Sequence, residues 1–148
     1  MVLPRWSVGR SVLLIAMLVA TTLARADNDD VIDYRQHIME TLEAQSQALG
    51  LILSGAVPDD NAVVHLQTLA LTASTALKAF QPAVPGGRAK PDVWKNWADF
   101  EKRMQEFAAK TAELAKTAQA RGPKAGLAGV ADGLTCKGCH DLYREEKK

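Results

Sequence analysis

An all-α fold, an antiparallel up-down-up-down four-helix bundle, is predicted by three observations. Apolar residues recur at steps of three and four through four separate segments. Beyond residue 26 the chain is rich in Ala, Leu, Gln, Glu and Lys, which favour helix, and no alternating Val/Ile run suggests a strand. All but one of the connections are short, which sets consecutive amphipathic helices side by side. The 148 residues, 47% hydrophobic and 24% charged, suit one domain with a modest core and exclude wholesale disorder. A net charge of +1 argues against a nucleic-acid binder, and two cysteines exclude a disulfide-dense scaffold.

The first 26 residues read as a cleaved secretory signal. Arg5 and Arg10 form a basic start, 12–24 is an apolar run, and Ala24-Arg25-Ala26 is a small-x-small cleavage site. The competing reading is a membrane anchor, for which the run is short. Cleavage would remove three arginines and no acidic residue, leaving 27–148 as one domain with a net charge of −2. The expected product is exported, periplasmic, and without a stable membrane anchor.

The first helical segment runs from about Asp30 to Ser54, with Val31, Ile38, Leu42, Leu49, Ile52 and Leu53 near one stripe. Asp29 and Asp30 suit its positive N-terminal end, and Gly55 and Pro58 stop it. The second runs from about Asn61 to Phe80, with Asp60 or Asn61 as N-cap and Leu66, Leu69, Ala70, Ala73, Leu77 and Phe80 on one face. Residues 81–90, with Pro82, Pro85, Gly86 and Gly87, form the one long loop. The third segment has the clearest period: Val93, Trp97, Phe100, Met104, Phe107, Thr111, Leu114 and Ala118, opened by Pro91-Asp92 and closed by Gly122-Pro123. The fourth is read as one helix from about Lys124 to Glu146, with Leu127, Val130, Ala131 and Leu134 inward. Gly126, Gly129 and Gly133 weaken it and would let another body approach its backbone closely.

Cys136-Lys137-Gly138-Cys139-His140 is C-x-x-C-H, the attachment signature of c-type haem. Each sulfur adds to one vinyl group and the histidine ligates iron. On a helix the three side chains lie three and four residues apart, so they address the edge and centre of one porphyrin. A thioredoxin-like dithiol would want a βαβ context, which the pattern lacks. Half a zinc site would need ligands such as His37 or His65, and neither has a Cys/His partner at short spacing. One covalent haem c is therefore the expected cofactor.

A C-terminal C-x-x-C-H on the last helix of a four-helix bundle resembles the cytochrome c' family, the class II c-type cytochromes. The resemblance covers nearly all of 27–148. It includes Tyr34-Arg35-Gln36, the run Leu49 to Gly55, Val93-Trp94-Lys95, and Cys136 to His140 followed by Tyr143-Arg144. It implies His140 as proximal ligand. In many members an apolar first-helix residue blocks the other face and leaves iron five-coordinate; in one branch a methionine there makes it six-coordinate and low-spin. Counting back sixteen residues from Gly55 reaches Met39, which matches that distal position. Bundle geometry points the same way, since Met39 and His140 fall at similar heights on antiparallel helices rising ~1.5 Å per residue. Met39 is thus either an iron ligand or a core side chain beside the haem. Arg35, one turn earlier on the same face, is either a partner for a haem propionate, as the resemblance implies, or a surface arginine. Arg144 stands near the proximal histidine or at a solvated helix end. Trp94, Trp97 and Phe100 line the haem or fill the core. Met104 reads as core, His37 as facing away from Met39, and His65 as solvated.

With Met39 and His140 both on iron, the expected function is a periplasmic one-electron carrier serving unidentified redox proteins. No Ser/His/Asp or paired-carboxylate constellation suggests an enzyme. The alternative is a five-coordinate haem protein binding nitric oxide or a similar diatomic, which follows if Met39 does not bind or is displaced. A weaker third reading makes the haem only a fold staple. The resemblance also implies a homodimer through the first two helices, with Val63 and Val64 as candidate contacts.

Overall fold

A computed structural model describes residues 27–146; the expected leader, 1–26, lies outside them. Three long helices form the frame: α1 (Asn28–Leu53), α2 (Ala62–Phe80) and, after a single turn α3 (Asp92–Lys95), α4 (Trp97–Arg121). The fourth position of the bundle is filled by three short helices, α5 (Pro123–Leu127), α6 (Val130–Gly133) and α7 (Cys136–Tyr143). α1 packs on α2 and α2 on α4, while α4 also carries α5, α6 and α7. No strand occurs among the described residues, only two isolated bridges.

Local chemistry sets the helix ends. The Asp27 carboxylate accepts from the Asp30 N–H at 2.9 Å and Asp30 returns the bond at 3.4 Å, a capping box that starts α1 two residues before the expected point. Asn61 does precede α2, but its side chain makes no cap bond. Leu49, Leu66, Leu69 and Val93 are fully buried at the centre. Phe100 ties α2, α4 and α7 together where their ends meet, its ring 5.0 Å from Phe80, 5.3 Å from Tyr143 and 5.7 Å from Trp97.

Several expectations need correction. The third segment breaks at Asn96, whose backbone leaves the helical region. The fourth is not one helix: it is interrupted at 128–129 and again at Leu134-Thr135. Leu53 and Ala131, expected on inward stripes, are exposed. The body that approaches the glycines is α4 itself. A Cβ on Gly129 or Gly133 would stand 2.6 or 2.8 Å from a Leu114 methyl. At Gly126 it would overlap the Ala118 Cβ and reach to 2.8 Å from Leu66 Cδ1. Helix propensity is given up there so that α4 and α5 can touch. Gly126→Ala is expected to destabilise the fold by about 1–3 kcal/mol, the range for overpacking, because the Ala118 Cβ is rigid. A lower denaturation midpoint at unchanged m-value would show it.

Candidate haem site

α7 carries Cys136, Cys139 and His140 on little more than one turn, and both thiols are free. Burial is the main effect on both cysteines and raises the pKa of each. The thiols therefore lack the lowered pKa of a redox dithiol. Burial also lowers the pKa of His140, and the charges of Arg144 and Arg88 lower it further. The imidazole is accordingly held neutral, with a lone pair available to a metal. Among the described residues no group of three or more His, Cys, Asp or Glu side chains is placed to hold a metal ion.

α7 is anchored from α4. The Tyr143 hydroxyl donates to Asp99 Oδ2 at 2.6 Å, and Arg103 Nε donates to the same oxygen at 2.6 Å. Burial and the Asp99 carboxylate push the Tyr143 pKa up to about 12, so the phenol stays protonated as donor. Lys137 pairs with Asp141 at 2.6 Å along α7.

Arg35 is the informative residue on α1. It is only 3% exposed, and its Nη1 and Nη2 are buried with no hydrogen-bond partner. Its guanidinium carbon lies 5.4 Å from the centre of the Phe80 ring and 5.1 Å from that of Trp94. Trp94 Nε1 donates to the Phe80 carbonyl at 2.9 Å, locking the two rings together. Cation–π contact alone does not replace the water an arginine gives up, so two orphaned nitrogens call for an anion from outside the polypeptide. Met39, one turn on, is half-buried against the core. Glu43, one turn further, carries a charge that opposes the lowering of the His140 pKa.

Two free thiols, a neutral imidazole and an unpaired buried guanidinium match a haem's vinyl groups, iron and carboxylates. A family model for cytochrome c' matches residues 30–144. The chain belongs to the cytochrome c' family. Cytochrome c' of Alcaligenes xylosoxydans xylosoxydans is 30% identical over 125 residues, 82% of this chain and 98% of that protein. Cytochrome c-556 of Rhodopseudomonas palustris is 27% identical over 148 residues, 93% of this chain and 98% of that one. Among solved structures, a ferrous variant of Alcaligenes xylosoxidans cytochrome c prime with bound NO superposes with a TM-score of 0.74 at 27% identity, covering 83% of this chain and 99% of that one. Cytochrome c prime from Shewanella frigidimarina gives 0.70 at 26% identity, covering 82% and 99%. These neighbours confirm the four-helix-bundle architecture, and cytochrome c' membership makes haem c the group the site is built for.

The structure sorts the remaining candidates. Trp94 borders the site through Arg35, whereas Phe100 and Met104 are buried core. His37 is exposed beside Glu40, on a part of α1 away from the core. His65, expected to be solvated, is half-buried and bonds Gln45 Oε1 at 2.8 Å across α1 and α2. Arg144 is half-buried, close enough to act on both Cys136 and His140. Sequence reading missed Phe80 as half of the Arg35 cage, Asp99 as the anchor of α7, and Arg88. Nothing in local spacing marks these, because each acts on a residue remote in the chain.

Proposed function

We propose that this cytochrome c' family chain carries one haem c joined covalently through Cys136 and Cys139, with His140 as the proximal ligand. We infer that the opposite face, covered by α1 at Met39, receives nitric oxide or a similar diatomic. Bound haem supplies a one-electron couple and an iron coordination position. The chain's own residues supply the rest. Cys136 and Cys139 tether, His140 donates its neutral imidazole, and Arg35 offers its unpaired guanidinium nitrogens to a carboxylate. Ile38, Met39 and Leu42 present an apolar stretch of α1, which suits a small uncharged guest. The observation that carries the gas-binding reading is the NO complex of a relative whose fold matches over 83% of this chain.

A second reading is favoured by Met39 itself: its half-buried side chain lies one turn from Glu43, whose charge acts on His140. If it ligates iron in both oxidation states, the protein is a one-electron carrier for redox partner proteins. The ferric optical spectrum of the holo-protein, with Met39→Ala beside it, separates the two. Gas binding expects a high-spin spectrum unchanged by the mutation, and NO uptake by the ferrous wild type. A low-spin spectrum whose sulfur-to-iron charge-transfer band vanishes in Met39→Ala makes the carrier reading correct. In either case the chain is proposed to work in the periplasm, after loss of its leader, without enzymatic activity or nucleic-acid contact of its own. A homodimer through α1 and α2 is supported by Val64, 57% exposed, although Val63 beside it is half-buried.

A further inference from the structure

α7 has eight residues, too few to persist as a helix unaided. Its C-terminal end is held by the loop before α3. Residues 88–90 run beside 143–145 in a short bridge. The Lys90 N–H donates to the Tyr143 carbonyl at 3.0 Å and the Glu145 N–H to the Arg88 carbonyl at 2.8 Å. Side chains add to this. Arg88 donates twice to the Glu145 carbonyl, from Nη2 at 2.7 Å and Nε at 3.1 Å, and Lys90 Nζ donates to the Asp141 carbonyl at 3.1 Å. Two cations thus sit at the negative end of α7. The other end of the same loop presses on α1. Gly87 has a φ of +61°, and a Cβ there would stand 2.7 Å from Gln36 Nε2 and 3.0 Å from Ile32 Cγ2. Ile32 and Gln36 precede Met39 by seven and three residues, so all three share one side of α1. α1 packs chiefly on α2, and α7 on α3 and α4. Residues 86–90 are therefore the strap between the helix bearing Met39 and the helix bearing His140.

We propose that Arg88 is a positioning residue for His140: by clamping the Glu145 carbonyl it fixes the C-terminal end of α7, and so the imidazole, relative to α1. The inference rests on the haem reading of the site. The fork gives two donors to one carbonyl, which resists twisting of the chain after Tyr143 more than a single bond does. Arg88 is not needed for the core, since none of its partners belongs to it.

The test uses ferric holo-protein. Arg88→Ala is expected to shift the hyperfine-displaced proton resonances that report imidazole orientation, and to speed amide exchange in Cys139–Tyr143 about tenfold, as for loss of one or two net hydrogen bonds. Lys90→Ala is expected to act in the same direction. Unchanged resonances and exchange in both variants overturn the proposal, even if the melting temperature falls. Wild type that purifies without haem sinks the haem reading instead, and amide exchange in α7 then still judges the strap.

Discussion

Replacing both Cys136 and Cys139 by Ser is expected to yield, from a host able to attach haem, a colourless chain. Its intact mass would be that of the polypeptide alone, while the wild type is heavier by one haem. Serine keeps the size and removes the sulfur on which attachment depends. Cys136 is exposed and Cys139 half-buried on one turn of α7, burial raises the pKa of both, and no competing metal-ligand cluster lies among the described residues. No other residue on α7 carries a thiol. Single variants are expected to retain one attachment point at reduced yield. The loss reaches beyond α7, because burial of the group and stability of the fold are linked: whatever binds only the native state stabilises it. Haem still covalently present in the double variant would show that the tether lies elsewhere.

Arg35→Met is expected to change sign with the state of the site. In the haem-free double-serine background it should raise stability by roughly 1–3 kcal/mol, because it removes buried guanidinium nitrogens that have no partner. In the loaded protein it should lower stability, since a carboxylate then loses its cation in a site poor in water. The reduction potential should fall, because less positive charge near iron favours the oxidised state, by about 60 mV for each ~1.4 kcal/mol of interaction lost. Denaturation of both forms and voltammetry of the loaded one measure all three. Burial pushes the Arg35 pKa below the usual arginine range, which reflects the same missing partner. Equal effects of Arg35→Met in both backgrounds would mean that the cage of Phe80 and Trp94 satisfies the cation by itself.

Sequence alone decided what depends on neighbours along the chain. The spacing of Cys136, Cys139 and His140 is a property of one helical turn, and it pointed to haem before any fold was known. The three long helices were legible for a similar reason, because a buried stripe repeats within each segment. Arg35 and Met39 were singled out together by their spacing of four, but not what surrounds them. Tertiary structure decided whatever depends on residues remote in sequence. The fourth segment has enough apolar periodicity to read as a continuous helix. It breaks at 128–129 and at Leu134-Thr135, in a stretch where Leu114 and Ala118 of α4 lie against Gly126, Gly129 and Gly133, a contact invisible to any local window. Arg35 is buried where Phe80 and Trp94 lie over it, and α7 is held by residues remote in the chain, with Tyr143 bonded to Asp99 across 44 residues and Arg88 to Glu145 across 57. Covalent and helical spacing is written in the chain; the desolvation and pairing of charge arise only when distant segments pack.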